Sequence, residues 1–246
     1  MWPRPIIALA LASSGNGLVL PLSPALAPPP TARCKGVSCL LTLGDDPDFD
    51  PFAAEYPPAA VPSETTRVKL ATTAGDCHIV VDRALAPNGV DRFLALVDAG
   101  FFTNQLLYRC VPGMLVQFGV AADPADQAQW EDATIADEPN RATFKGGTVS
   151  FAGTGGRDSR SCHLFVALSP GGAALGKAAH EATIGRVEEV HVFEEVAAKY
   201  ATYGYPVDLA DELQTDLIAR GNEAAVAYPR LDRILSAERV SEQEGS

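Results

Sequence analysis

No aspartate or glutamate occurs before Asp45, although Arg4, Arg33 and Lys35 do. Those three take their share of the 19 Lys and Arg residues, so the rest of the chain carries 16 bases against 31 acids. No stripe of basic residues interleaved with aromatics is present. An acidic surface of this kind repels phosphate backbones and anionic bilayers, so neither nucleic acid nor a membrane is an expected partner. Long apolar runs are missing too: the N-terminal one is too short and too broken by Pro and Gly to span a bilayer, which takes ~20 residues. Cysteine numbers five, an odd count, and no pair has zinc-ligand spacing. No metal or cofactor is expected.

The acid-free start reads as an address. "MWPRPIIALALASS" has one early arginine and a short apolar run, and "SPALAPPP" offers an A-x-A cleavage pattern at Ala25-Leu26-Ala27. Residues 1–27 are therefore expected to be a targeting presequence, for the secretory pathway or for an organelle. Residues 28–62 have the Pro-rich composition of a linker, with an acidic burst in "GDDPDFDPF". That burst is not a calcium loop, because it lacks the sixth-position Gly and the closing Glu. Cys34 and Cys39 lie in this linker and can pair in an oxidising compartment, whereas Cys77, Cys110 and Cys162 fall in apolar runs and are expected to be small buried side chains.

Regular patterning begins after Glu64. "RVKLATTAGDCHIVVD" alternates apolar and polar residues on either side of "AGD", which predicts a β-hairpin. "APNGVDRFLALVDAG" puts Val90, Phe93, Leu94 and Val97 at helical spacing, with Asn88 as the expected N-cap and Gly100 as the stop. Further strands are predicted at 106–111, 115–119, 147–152 and 163–168, and a second helix over 189–199. Within "LLYRCVPGMLVQFGV", the corner Val111-Pro112-Gly113 separates an arm carrying Arg109 from one carrying Gln117, and period two lets both reach one face. Many short strands with few helices predict a closed barrel plugged by helices.

Three segments carry a resemblance. "YRCVPGMLVQFG", "GGTVSFAGTGGRDSRSCHLFVAL" and "EATIGRV" resemble, in order and separation, the signature blocks of the cyclophilin-type peptidyl-prolyl isomerases. The likeness covers roughly residues 67–240, within a domain set at 63–240, and leaves 241–246 as a disordered tail. It implies a β-dominated fold: a closed eight-stranded antiparallel β-barrel capped by two α-helices, preceded here by a disordered N-terminal extension, with the site on the barrel's outer face. It implies a monomer acting on proline-containing peptides and on folding proteins. Isomerisation of an X-Pro bond breaks no covalent bond, so the lack of a nucleophilic triad or metal motif is no objection.

Carried over position by position, the resemblance makes Arg109 the catalytic arginine and Gln117 its support. Met114, Leu115, Phe165 and Leu175 would line the proline pocket, while Ala152 and Gly153 would bind peptide through the main chain. Three positions depart from the family pattern: Met114 stands for a phenylalanine, His163 for a second glutamine that contacts substrate, so that His163 is expected to bind it, and Ala174 for a tryptophan that contacts the inhibitor cyclosporin, which implies weak cyclosporin binding. The lengthened "LGKAAHEATIG" leaves the late pocket histidine as either His180 or a position taken by Glu181.

Competing readings are weaker. Cys162-His163 suggests a nucleophile and base, but strand neighbours point to opposite faces. "GTGGR" has no helix start after it, so a glycine-rich turn outweighs a phosphate loop. His78 and His191 have no partners at ligand spacing. The serious rival to the enzyme is a cyclophilin-like module that binds proline segments without turnover. Mass spectrometry of the protein from its native source is expected to find the mature chain beginning after Ala27 or further on; an intact Met1 or Trp2 would rule out cleavage.

Overall fold

The fold was taken from a computed structural model, which describes residues 63–203 and 209–240. The expectations for residues 1–27, 28–62 and 241–246, and for Cys34 and Cys39, lie outside the described residues. Two strands open the domain, β1 (Thr65–Thr72) and β2 (Cys77–Asp82), paired antiparallel from Thr65↔Asp82 to Leu70↔Cys77. Their inward residues Val68, Leu70, Cys77, Ile79 and Val81 are fully buried, as the alternation requires.

Helix α1 (Pro87–Asp98) follows and buries Val90, Phe93, Leu94, Leu96 and Val97. Gly100 ends it at φ 69°, donating to the Val97 carbonyl while Phe101 donates to Leu96. The N-terminus differs from expectation. Asn88 lies inside the helix, and Ala86 occupies the N-cap with no side-chain bond. The exposed backbone donors are met from a distance: the Glu138 carboxylate accepts from Asn88 N at 2.7 Å and Gly89 N at 2.9 Å. A carboxylate there also suits the helix dipole. Glu138 in turn accepts at 3.0 Å from Arg160 Nη2, whose residue is 0% exposed, and Asp137 lies 3.8 Å from Arg160 Nε.

The remaining strands are β3 (Gln105–Leu106), β4 (Arg109–Val111), β5 (Leu115–Phe118), β6 (Thr148–Phe151), β7 (Leu164–Ala167), β8 (Thr183–Val187) and β9 (Arg233–Arg239). All nine join one antiparallel sheet in the order β3-β9-β1-β2-β8-β6-β7-β5-β4. Its edge strands β3 and β4 are separated in sequence by Leu107 and Tyr108 alone. Three Cα–Cα steps span at most about 11 Å, so the sheet curls until its two edges come within reach of a dipeptide. The β-dominated, helix-bearing architecture is as expected.

The described helices number more than two. The expected pair are α1 and α3 (Val190–Tyr203), to which α2 (Pro124–Trp130), α4 (Leu209–Arg220) and α5 (Asn222–Ala225) are added. α2 is capped by Asp123, whose carboxylate accepts from Ala125 N at 2.8 Å. α4 packs on α2 and α5 and buries Leu213 and Leu217, one turn apart. Among the described residues no helix is long and apolar enough to cross a membrane.

Glu138→Ala would leave a buried guanidinium without its closest carboxylate and α1 without its cap. A loss of about 3–5 kcal/mol is expected in urea unfolding, with a smaller loss for Glu138→Gln.

Candidate active site

The turn Val111–Met114 aligns the site. Proline at its second position and Gly113 at φ 68° at its third are the requirements of a type II turn, closed by Met114 N donating to the Val111 carbonyl at 2.9 Å. The resulting register pairs Arg109 with Gln117 and Val111 with Leu115. Gln117 pairs with Phe165 across the next strand boundary, and Leu115 with Ala167. Directly opposed residues share a face, so Arg109, Gln117 and Phe165 form one row over β4, β5 and β7. Val116, Phe118, Leu164 and Val166 point the other way into the main core.

On the site face a second apolar cluster forms. Leu115, Phe144, Phe165 and Ala167 are its buried members, with Val111, Met114, Ala152 and Leu175 packed on it. Phe144 and Phe165 lie 6.1 Å apart between ring centroids. Phe144 was not anticipated: it comes from the irregular segment before β6, where no periodicity marks its direction. Beside this cluster is a cavity of about 490 Å³ lined by Arg109, Gln117, Ala152, Gly153 and His163. Ala152 belongs to both, so the two are contiguous.

A chain of hydrogen bonds runs from Arg109 into the protein. Arg109 Nη1 donates to Gln117 Oε1 at 3.1 Å, and Gln117 Nε2 donates to the Tyr108 hydroxyl at 2.7 Å. That hydroxyl lies 3.5 Å from His163 Nδ1, and His163 Nε2 lies 3.0–3.1 Å from both Glu131 oxygens. With His163 as the Nε2–H tautomer, every donor points the same way, from guanidinium to carboxylate. The His163 hydrogen bond holds the Glu131 carboxyl below the usual carboxylate range against the opposing effect of its burial. Burial pushes the Tyr108 phenol well up, keeping it protonated as a donor. Tyr108 sits between β3 and β4, outside either ladder, which is why strand parity does not reveal that its hydroxyl meets Gln117.

His163 is 7% exposed and precedes β7, so strand parity does not separate it from Cys162; Cys162 Sγ, a His163 ring nitrogen and a Glu131 oxygen lie within 4.8 Å of one another. The opposite-face argument therefore fails. A cysteine nucleophile is instead disfavoured by burial, which pushes the Cys162 thiol up to about 12. Cys77 is buried as expected and Cys110 half-buried. His180 packs against Gly153 so closely that a Cβ there would come within 2.7 Å of its Cγ. Glu181 is taken up in its own loop, where one oxygen accepts from the backbone of Gly176, Lys177 and Ala178. Ala174 is exposed on a 3₁₀ turn (Gly171–Ala174), and Trp130 meets Phe101 edge to face and lies under Arg92. His78 does have partners: its Nδ1 meets Glu189 at 3.1 Å, with Glu188 close by. His191 is exposed. The acidic wall of the cavity, Glu131 and Asp132 after α2 and Asp211 on α4, was not anticipated either.

Comparisons with known proteins point to one family. The family described as cyclophilin type peptidyl-prolyl cis-trans isomerase/CLD matches residues 67–208. Peptidyl-prolyl cis-trans isomerase A of Dickeya dadantii is 29% identical over 111 residues, covering 45% of this chain and 58% of the relative. Peptidyl-prolyl isomerase cwc27 of Rhizopus delemar is 34% identical over 116 residues, 45% of this chain and 21% of that protein. The match thus spans little more than half of one relative and a fifth of the other. In fold, the chain is similar to the crystal structure of a cyclophilin type peptidyl-prolyl cis-trans isomerase of Cryptosporidium parvum, with TM-score 0.51 and 16% identity over 73% of this chain and 99% of that one. With a curled antiparallel sheet and a family match over more than half its length, this chain belongs to the cyclophilin-type peptidyl-prolyl cis-trans isomerase family.

Proposed function

We propose that this chain accelerates rotation about X-Pro peptide bonds in proline-containing peptides and folding proteins. The observation that carries this reading is a guanidinium fixed by Gln117 at the junction of an apolar cluster and an open cavity. The barrier to rotation is ~18–20 kcal/mol because the C–N bond is conjugated. Twisting removes the conjugation and localises a lone pair on the prolyl nitrogen. A fixed donor beside that nitrogen binds the twisted form better than either planar one, and acceleration by about 10⁵ takes roughly 7 kcal/mol of such preference. Arginine suits the task because it stays charged and its donors are directed.

In this reading Arg109 is the catalytic donor. The proline ring lies against Phe165, Met114, Leu115 and Leu175, with Phe144 as the floor. Ala152 and Gly153 offer main-chain groups to the peptide, and His180 packs beside them. Gln117 both bonds the substrate and, through Tyr108, His163 and Glu131, holds Arg109 in place; Tyr108, His163 and Glu131 are positioning residues. The curled sheet is the family's closed barrel, with Leu107 and Tyr108 crossing the seam between β3 and β4. The protein works as a monomer, with residues 1–27 as the presequence that takes it to the secretory pathway or an organelle, 28–62 as linker and 63–240 as the isomerase domain. The acid-free composition of the N-terminal segment supports that placement.

A protease-coupled assay on a short X-Pro peptide tests the reading against a binding module without turnover. Catalysis is expected, and Arg109→Ala is expected to lower kcat/KM at least tenfold in a folded protein, since a charged hydrogen bond contributes ~1.5–3 kcal/mol. An unchanged rate would place the chemistry elsewhere. Cyclosporin inhibition is expected to be weak, because exposed Ala174 supplies neither an indole donor nor an apolar wall. The two losses together amount to about 1–3 kcal/mol, roughly 5- to 150-fold in affinity. Ala174→Trp should tighten inhibition more than it raises kcat/KM, as inhibitor titrations on both forms will read.

A further inference from the structure

Three chemically different ligand groups meet at the inner end of the hydrogen-bond chain. Glu131 Oε2 lies 3.0 Å from His163 Nε2 and 3.9 Å from Cys162 Sγ, and the three ligand atoms all fall within 4.8 Å of one another. A tetrahedral zinc ion bonded at about 2.0–2.3 Å to N, O and S holds those atoms roughly 3.3–3.6 Å apart, so closing on an ion takes movements of about an ångström. Thiolate with imidazole and one carboxylate selects zinc or cobalt over the hard cations magnesium and calcium.

The surroundings are those of a ligand set held in place. Gln127 is 1% exposed; its Oε1 is fixed by Ala121 N at 2.7 Å, and its Nε2 donates to Glu131 Oε2 and to Cys162 Sγ at 3.4 Å. His163 Nδ1 faces the Tyr108 hydroxyl, the kind of outer partner that orients a metal-bound imidazole. Cys162 closes the site from the protein side, at 0% exposure, while Glu131 and His163 open onto the cavity and leave a fourth position to water. The other mixed cluster, His78 with Glu188 and Glu189, has none of this: it lacks a thiol, and Glu188 already pairs with Arg67 at 2.7 Å.

We propose that Glu131, Cys162 and His163 form a zinc site that restrains the isomerase. The restraint, which rests on the function proposed above, follows from the tautomer of His163. The unbroken chain to Arg109 needs Nε2–H donating to Glu131 and Nδ1 accepting from Tyr108. Zinc takes the Nε2 lone pair, so the ring proton moves to Nδ1, and the Cys162 thiol releases its proton to solvent as the Zn–S bond forms. The Tyr108 hydroxyl then faces two donors, Gln117 Nε2 and His163 Nδ1–H, and its own hydrogen loses its acceptor. Gln117 is loosened, and Arg109 with it.

The test uses the full chain carrying Cys34→Ser and Cys39→Ser, freed of metal by a chelator and titrated with cobalt(II), then with zinc. One equivalent of cobalt is expected to give thiolate-to-cobalt charge-transfer absorption and the strong visible bands of a tetrahedral site, both erased by zinc. Cys162→Ser should abolish the charge-transfer band, and Glu131→Gln should weaken cobalt binding at least tenfold, each in a protein with the parent's circular dichroism. Zinc should lower kcat/KM at least fivefold in the parent, reversibly with chelator, and leave Cys162→Ser unaffected. No absorption in the parent, or a band that survives Cys162→Ser, overturns the site; absorption without inhibition overturns the restraint. Absence of turnover in every form would sink the isomerase reading alone, and the absorption titration would still decide the metal site.

Discussion

The site depends on strand register. Because side chains alternate with period two, a slip of one residue between β4 and β5 would send Arg109 or Gln117 into the apolar core and bring Val116 or Phe118 to the cleft. Two features prevent the slip. The Pro112-Gly113 turn fixes which residues face each other at the hairpin end, and burial of Val116 and Phe118 on one side with Leu115 on the other makes every alternative register expose apolar surface. Each such side chain is worth ~1.5–3 kcal/mol when buried, so the register is held by several of them together rather than by the single hydrogen bond at the tip. The same register extends to β7, which is how Phe165 arrives beside Gln117.

Polar groups within this fold are arranged in connected sets. Glu138 accepts from Arg160 and from the start of α1, with Asp137 in ionic contact at 3.8 Å, joining a loop to a helix that its local sequence leaves uncapped. Gln117, Tyr108, His163 and Glu131 form a second such set behind Arg109. A buried polar group left alone costs about 1–3 kcal/mol, so each member holds the next in one orientation. For the isomerase proposed above, which would need only a donor at a fixed place, orientation is the useful quantity. His163 is suited to its place because a glutamine there would offer a flexible amide, whereas the ring presents two nitrogens at a rigid angle, one toward Tyr108 and one toward Glu131.

Helices beyond the expected pair gather on one side of the cavity. α2 brings Glu131 and Asp132 and α4 brings Asp211 and Gln214, so the cavity that Arg109 lines has acidic side chains that neither the sheet nor α1 and α3 supply. α4 is held against α2 by leucines one turn apart, a narrow apolar stripe on an otherwise charged helix. The C-terminal part of the chain is therefore part of the cleft wall, and also supplies β9 between β1 and β3.

What the sequence by itself determined were the features with a period or a local signature. The β1–β2 hairpin, α1 and its Gly100 stop and the Arg109–Gln117 hairpin were legible because alternation, helical spacing and Pro-Gly turn chemistry act over a few residues, whereas the pocket residues around Phe165 were named through the family resemblance. Tertiary structure alone decided the rest. Glu138 caps a helix start 50 positions away, where Asn88 had the local signature. Phe144 comes from a segment without periodicity. Cys162 and His163 share a partner because the chain leaves the strand before β7, and Tyr108 reaches Gln117 because it bridges two sheet edges. Each of these depends on where distant segments are brought by the curl of the sheet, and a one-dimensional pattern carries no record of that distance.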